Sequence, residues 1–116
     1  MSKKILIVDD EPNIVISLEF LMKKEGFAVA VACDGEEALA KVASFAPDLI
    51  LLDVMMPKKS GFEVCEALRA DPSKAGVLIV MLTAKGRDTE VAKGLALGAD
   101  AYVTKPFDPA YLLALI

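Results

Sequence analysis

Five short apolar runs, separated by segments with helical spacing, constrain the fold of this chain more than any other feature of its sequence. The runs cover residues 5–8, 27–32, 49–52, 77–82 and 101–103. Runs of this kind, without polar alternation, are typical of strands covered on both faces, as in a parallel sheet. We therefore predict a βα repeat that forms a three-layer α/β/α sandwich, with right-handed crossovers and strand order 2-1-3-4-5.

Start and stop signals between the runs predict five helices. Pro12 and Gly26 bound the first helix. Asp34 is the expected N-cap of the second helix, which ends at Pro47. A third helix is predicted over residues 60–70. The apolar residues that define these faces are Ile14, Val15, Leu18, Leu21 and Met22 in the first helix, Ala38, Leu39 and Val42 in the second, and Val64, Cys65 and Leu68 in the third.

The fourth and fifth helices complete the predicted repeat. The fourth covers residues 88–97, with Val91 and Leu95 on its apolar face, and Gly98 closes it. The fifth begins after Pro109 and reaches residue 116 without polar or glycine punctuation. We expect residues 1–116 to form one domain, with truncation of the last helix left open. Both a following effector domain and a stand-alone protein remain open.

Composition and charge exclude several classes of function. The 116 residues are 55% hydrophobic and 26% charged, as expected of a globular domain with a full core. The formal net charge of -4 gives no basic surface for nucleic acid or for an anionic membrane. Only four apolar residues follow the basic N-terminus, too few for a signal peptide or a membrane span. We expect a cytoplasmic protein that binds neither DNA nor membrane directly.

The chain has no histidine, and its two cysteines are isolated. The absence of histidine excludes a Ser-His-Asp triad, a His-ligated zinc site and a histidine acid or base. Cys33 and Cys65 lack metal-type spacing and are expected to be small buried residues in a reducing compartment. Chemistry here must use carboxylates, a lysine, hydroxyls or a metal ion.

Reactive side chains follow four of the five apolar runs. Asp9 and Asp10 follow the first run, Asp53 the third, Thr83 the fourth and Lys105 the fifth. The carboxyl ends of parallel strands share the edge of the sheet where ligands bind, so we expect these residues to converge there. Three carboxylates gathered in this way repel one another unless a cation neutralises them.

A magnesium ion and an aspartate nucleophile fit this set of groups. Mg²⁺ takes oxygen ligands, which the carboxylates of Asp9, Asp10 and Asp53 can supply. An aspartate with an ordinary pKa of about 4 is ionised at neutral pH and can attack phosphorus without a general base. Phosphoryl transfer needs positioning and stabilisation of charge on the equatorial oxygens, duties that suit Lys105 and Thr83.

Simpler roles remain open for these residues taken singly. Asp10 could cap the first helix, Thr83 could cap a turn, and Lys105 could be a solvated strand end. Asp53 is harder to explain in this way, because it follows four apolar residues and an uncompensated carboxylate there is unfavourable.

Four motifs hold these residues: ILIVDDEP at 5–12, LILLDVMMPKKSGFE at 49–63, MLTA at 81–84 and YVTKPF at 102–107. Together they are highly specific, and over nearly its whole length the chain resembles the receiver domains of two-component response regulators. The resemblance implies a flavodoxin-like fold and a phosphoacceptor switch that catalyses only its own phosphorylation and dephosphorylation. Gly61 is then expected to permit a tight turn into the third helix.

The resemblance also implies roles for individual residues. Asp53 would accept a phosphoryl group from the phosphohistidine of a sensor histidine kinase or a histidine phosphotransfer protein. Asp9, Asp10, Asp53 and the backbone carbonyl of Met55 would hold Mg²⁺, and Lys105 would contact the phosphoryl group.

A conformational switch is the last implication of the resemblance. The Thr83 hydroxyl would move toward the phosphoryl oxygens and the ring of Tyr102 would turn inward, although Tyr102 could equally be packed on an edge strand. The readout surface would be helix 4, strand 5 and helix 5, through which a homodimer is possible. Ala101 after Asp100, and Leu115 in the last helix, depart from the charge pattern of relatives that drive DNA-binding domains.

Three other functions remain open. A magnesium-dependent aspartyl-phosphate phosphohydrolase requires a second aspartate two positions after its nucleophile, where this chain has Glu11 and Met55. A flavin- or nucleotide-binding module of the same topology is disfavoured by an acidic first loop without glycines and by the lack of a glycine-rich phosphate motif. The third is an inactive receiver-like scaffold.

Overall fold

The computed structural model describes residues 3–54, 60–74, 76–84, 88–105 and 109–115. Five strands form one parallel sheet in the order β2-β1-β3-β4-β5. The predicted strand order and three-layer architecture are confirmed. The strands are β1 (Lys4–Val8), β2 (Ala28–Ala32), β3 (Leu49–Asp53), β4 (Leu78–Ala84) and β5 (Ala101–Lys105).

Five α-helices connect and follow the strands. They are α1 (Pro12–Lys24), α2 (Gly35–Phe45), α3 (Gly61–Ala70), α4 (Asp88–Ala96) and α5 (Pro109–Leu115). A short 3₁₀ turn, Pro72–Lys74, lies between α3 and β4. None of the helices in the described part of the chain has both the length and the apolar character that crossing a membrane requires.

The central strands are buried on both faces, which explains their unbroken apolar sequence. All five residues of β3 and the last four of β1 are buried. On one face, Leu6 and Val8 pack with residues of α2 and α3. On the other face of the sheet, Ile5 and Ile7 pack with Leu18 of α1 and with a buried apolar side chain of α5. Full burial of one such aliphatic side chain contributes about 1.5–3 kcal/mol relative to exposure.

Side-chain caps fix where α2 and α3 begin. Asp34 is the N-cap of α2, as predicted, and its carboxylate accepts a hydrogen bond from the backbone N–H of Glu37 over 2.8 Å. In α3, Ser60 and Glu63 form a reciprocal capping box. Each cap satisfies a backbone donor that the helix itself leaves unpaired, so the first turns next to the sheet edge are well defined.

The ends of three helices show left-handed residues. Gly26 follows α1 with φ 90°, and Gly98 follows α4 with φ 111°, so both glycines terminate helices as predicted. Ala46 ends α2 with φ 51°, immediately before Pro47. Because alanine has a Cβ, the C-terminal end of α2 carries backbone strain that the glycine-terminated ends of α1 and α4 avoid.

The expectations for Leu95 and Cys33 are wrong. Leu95 was predicted on the buried face of α4, but it is 44% exposed. In α4 it is Gly94 that faces the sheet, against Met81, and the next residue is rotated by about 100° toward solvent. Cys33 is exposed rather than buried, because it lies beyond the last residue of β2, at the edge of the sheet. Cys65 is buried, as expected.

Candidate metal centre at the edge of the sheet

The register of the central strands brings two aspartates side by side. Val8, the last residue of β1, pairs with Leu52 of β3, so Asp9 and Asp53 follow paired positions on adjacent strands. Asp9 is fully buried and Asp53 is 5% exposed. The predicted convergence of these two residues is therefore present in the structure.

Asp10 joins them to complete a cluster of three acids. One carboxylate oxygen from each of Asp9, Asp10 and Asp53 lies within 4.8 Å of the others. Asp10 is exposed and does not cap α1, because the N-cap position of that helix belongs to Glu11. The simpler role considered for Asp10 is thus wrong, and its carboxylate lies in the cluster instead.

Backbone hydrogen bonds hold Asp9 in place. Its N–H donates to the carbonyl of Ala32 in β2 over 3.1 Å. Its Oδ1 accepts from the N–H of Glu11 over 2.9 Å. The first carboxylate of the cluster is therefore fixed both to the sheet and to the start of α1.

The donor set of this cluster fits Mg²⁺. All three groups offer oxygen, and Mg²⁺ binds oxygens at about 2.0–2.1 Å while keeping several waters, so one ion can contact these carboxylates directly or through water. A divalent cation would also relieve the repulsion between carboxylates that are this close together. In the described part of the chain, this is the only such group of three potential ligands.

The peptide group after Asp53 is held from two sides. The N–H of Val54 donates to the carbonyl of Leu82 in β4 over 3.2 Å. The carbonyl of Val54 accepts from the N–H of Gly61, the first residue of α3, over 2.9 Å. The backbone around the candidate nucleophile is thus joined to the neighbouring strand and to the following helix.

Gly61 was expected to permit a tight turn into α3, and the structure shows that the reason for glycine here is not a left-handed backbone. Its φ is not positive, unlike those of Gly26 and Gly98. A Cβ on Gly61 would instead collide with the carbonyl oxygen of Asp53 and lie 2.9 Å from Cα of Val54. Glycine is required at this position by lack of space above β3.

The remaining predicted site residues lie on β4 and β5. Thr83 is 3% exposed and follows Leu82, the strand partner of Asp53. Tyr102 pairs with Met81 in the sheet and is 40% exposed, so its side chain reaches the surface. The backbone of Lys105 ends β5, but its side chain lies outside the described part of the structure, as does the whole of Met55.

Sequence reasoning missed the steric role of Gly61 and the backbone contacts of Val54. The sequence does carry a partial signal, since Gly61 stands between Ser60 and Glu63, a pair typical of a capped helix start. Nothing in the sequence indicates how closely that helix approaches Asp53, because the approach is a tertiary contact.

Comparisons with known proteins agree with this architecture. The model of the family described as response regulator receiver domain matches residues 5–116. The alkaline phosphatase synthesis transcriptional regulatory protein PhoP of Bacillus subtilis is 52% identical over 109 residues, which cover 94% of this chain and 45% of that protein.

Solved structures are similar over almost the entire chain. A putative response regulator from Chloroflexus aurantiacus superposes with a TM-score of 0.96 at 34% identity, covering 99% of this chain and 94% of that chain. The chemotaxis protein CheY4 of Vibrio cholerae gives a TM-score of 0.92 at 36% identity, covering 99% and 96%. The chain spans about half the length of the curated relatives it matches. It belongs to the response regulator receiver domains of two-component signalling systems.

Proposed function

We propose that this domain is a Mg²⁺-dependent switch in which Asp53 accepts a phosphoryl group from the phosphohistidine of a sensor histidine kinase or a histidine phosphotransfer protein. The observation that carries the proposal is the gathering of Asp9, Asp10 and Asp53 within 4.8 Å at the carboxyl edge of the sheet. Membership of the receiver family supports it, since response regulators are partners of sensor kinases.

The proposed transfer is a displacement at phosphorus. A carboxylate oxygen of Asp53 forms the new P–O bond, the P–N bond to the donor imidazole breaks, and its electron pair stays on the imidazole nitrogen. When bound by Asp9, Asp10, Asp53 and the carbonyl of Met55, Mg²⁺ would supply charge neutralisation at the phosphoryl oxygens. In this proposal Lys105 contributes a further positive charge to the same oxygens.

The phosphoryl group would act on the rest of the domain through Thr83 and Tyr102. The phosphoryl group carries about -1.5 to -2 charge, which replaces the single negative charge of the Asp53 carboxylate, and the buried hydroxyl of Thr83 can then donate to its oxygens. Tyr102 is half exposed on the adjacent strand, so an inward rotation of its ring would change the surface. The unphosphorylated domain would sample that arrangement as a minor population.

The readout would occur on the surface formed by α4, β5 and α5. Exposed apolar or aromatic side chains lie on each of these elements, namely Leu95, Tyr102 and Tyr111. We propose this surface as the contact for a second copy or for an output domain. Because the proposed switch residue Tyr102 is itself part of this surface, its rotation would link phosphorylation of Asp53 to binding at the surface.

An exposed apolar pair on α1 supports a protein phosphodonor. Ile16 is 64% exposed and Phe20 is 70% exposed, and they lie one turn apart on the same side of the helix. α1 begins two residues after Asp10, and Ile16 and Phe20 lie about 6 and 12 Å along the helix from its first residue. A partner that presents a phosphohistidine to Asp53 would cover this pair.

The central experiment compares the parent domain with Asp53→Asn. With Mg²⁺ and acetyl phosphate, the parent should acquire an acid-stable, base-labile phosphoryl group, and the variant should acquire none. Chelation of Mg²⁺ should likewise abolish labelling of the parent. Equal labelling of parent and variant would contradict the assignment, and rapid turnover of a small phosphomonoester would favour the phosphohydrolase alternative.

A second experiment separates docking from chemistry. Replacing both Ile16 and Phe20 by serine should slow transfer from a phosphorylated kinase and leave labelling by acetyl phosphate unchanged, because a small donor does not contact α1. Tyr111→Ser is the matched control on α5. Equal transfer rates for the two variants would show that the α1 pair is not a docking surface.

A further inference from the structure

The start of α3 lies directly on the backbone of the candidate phosphoacceptor. Gly61 is buried, and its N–H donates to the carbonyl of Val54 over 2.9 Å. The space that a Cβ would need at Gly61 is filled by the carbonyl oxygen of Asp53 and by Cα of Val54. Real Cβ atoms essentially never approach other atoms this closely, so any larger residue must move either α3 or the end of β3.

Movement of α3 alone is opposed by its other contacts. Val64, Cys65 and Leu68 on this helix are buried in the core beneath it. The capping box of Ser60 and Glu63 fixes its first turn. Since packed interiors adjust poorly to added atoms, part of the displacement must fall on the peptide that follows Asp53.

Displacement of that peptide would be transmitted to the acidic cluster. Asp9 follows β1, the strand next to β3, and is also bonded to Ala32 of β2 and to Glu11, so it would not follow Asp53 as one rigid unit. The spacing of the carboxylates would then change. Metal sites depend on residues that orient the ligands as well as on the ligands themselves.

We propose that Gly61 is a positioning residue, which sets the distance of Asp53 from Asp9 and Asp10 by letting the first turn of α3 rest on the Asp53–Val54 peptide. The proposal rests on the function proposed above. It gives Gly61 a role in metal affinity that is separate from its contribution to folding.

The test compares Gly61→Ala with Gly76→Ala in the 116-residue domain. Gly76 is a suitable control, because it is exposed and no atom lies within 4 Å of the position of its Cβ. Dissociation constants for Mg²⁺ are measured by calorimetry, and unfolding by urea is measured in the presence of a chelator. We expect Gly61→Ala to raise the dissociation constant about tenfold or more, whereas Gly76→Ala leaves it unchanged.

The two measurements distinguish positioning from general destabilisation. If Gly61→Ala lowers stability but binds Mg²⁺ as tightly as Gly76→Ala, Gly61 is a packing residue and the inference is wrong. If Gly61→Ala does not fold in buffer, both variants are compared in trimethylamine N-oxide, which favours compact states. A variant that stays unfolded there also overturns the positioning role. A parent domain that binds no Mg²⁺ would instead refute the proposed function.

Discussion

The guanidinium of Arg69 donates to the carboxylate of Asp100 over 2.7 Å, joining the end of α3 to the turn before β5. Two further hydrogen bonds run from the same guanidinium to the carbonyls of Gly98 (2.9 Å) and Val77 (2.8 Å). The carboxylate of Asp100 also accepts from the N–H of Ile79 over 2.8 Å. Both hydrogen bonds of the Asp100 carboxylate are thus made within this domain. The Arg69 side chain connects α3 to the segments before β4 and before β5, at the edge of the sheet opposite the acidic cluster.

Arg69→Lys should lower the free energy of unfolding by about 2 kcal/mol, because lysine lacks the planar fork that reaches three acceptors. The control is Lys23→Met, which removes the exposed pair with Glu19 on α1 and should cost no more than about 0.5 kcal/mol. Urea denaturation of the three proteins measures both effects. Equal losses for the two variants would show that the Arg69 contacts are no stronger than an ordinary surface pair.

Asp10→Asn should stabilise the metal-free domain and weaken its response to Mg²⁺. The substitution removes one of three neighbouring negative charges, so repulsion within the cluster falls, but one metal ligand is weakened. In the parent, Mg²⁺ at a hundred times its dissociation constant should add about 2.7 kcal/mol to the stability. Thermal unfolding with and without Mg²⁺ measures both changes.

Glu66→Gln, on the exposed surface of α3, is the matched control for removal of a charge. It should leave the Mg²⁺ response at the parental value. If Mg²⁺ stabilised Asp10→Asn as much as it stabilises the parent, the ion would not be bound by Asp10.

Beryllium fluoride with Mg²⁺ should shift the amide resonances of Thr83 and Tyr102, because it mimics a phosphoryl group on Asp53. Val42, buried in α2, should change little. Two-dimensional NMR spectra of the labelled domain measure the shifts, and Asp53→Asn is the control that should show none. An unaltered parent spectrum would count against a conformational switch.

Thiol reagents should discriminate sharply between the two cysteines. Cys33 is exposed, whereas burial raises the pKa of the Cys65 thiol, although the nearby Arg69 opposes that shift. A raised pKa leaves less thiolate at neutral pH, so Cys65 should react slowly in the folded domain and faster as the pH rises. Mass spectrometry after brief alkylation should find modification of Cys33 first. Rapid alkylation of Cys65 in the Cys33→Ser variant would show that α3 opens readily.

Ala46→Gly should stabilise the domain by about 1 kcal/mol, because glycine adopts the left-handed conformation at the end of α2 without a Cβ penalty. Ala43→Gly, at an exposed position inside the same helix, should destabilise it by about 0.5–1 kcal/mol. The opposite signs of the two changes can be read from one denaturation series. Changes of the same sign would mean that Ala46 is not strained.

The sequence predicted the order of the elements because their signals are local. The spacing of apolar residues can be read directly from the sequence. So can the helix start and stop residues Pro12, Gly26, Asp34 and Gly98, which lie at helix ends in the structure. The convergence of Asp9 with Asp53 followed from the rule that parallel strands end at one edge. These predictions needed no knowledge of side-chain packing.

The features that sequence reasoning missed are contacts between distant elements. The partners of Arg69 lie just before β4 and in the turn before β5, and no periodicity indicates them. Leu95 fits an apolar stripe, yet the close approach of Gly94 to Met81 decides which side of α4 faces the sheet. The exposure of Cys33 depends in the same way on where the edge of the sheet lies.

Asp53 is almost wholly enclosed at the end of a fully buried strand, so a donor must approach it from the rim of the sheet. A small molecule can enter such a recess in many orientations, but a histidine carried on another protein must be presented by a surface whose shape matches the rim. Under the proposed function, discrimination against the other kinases of a cell would therefore arise from steric exclusion at this entrance.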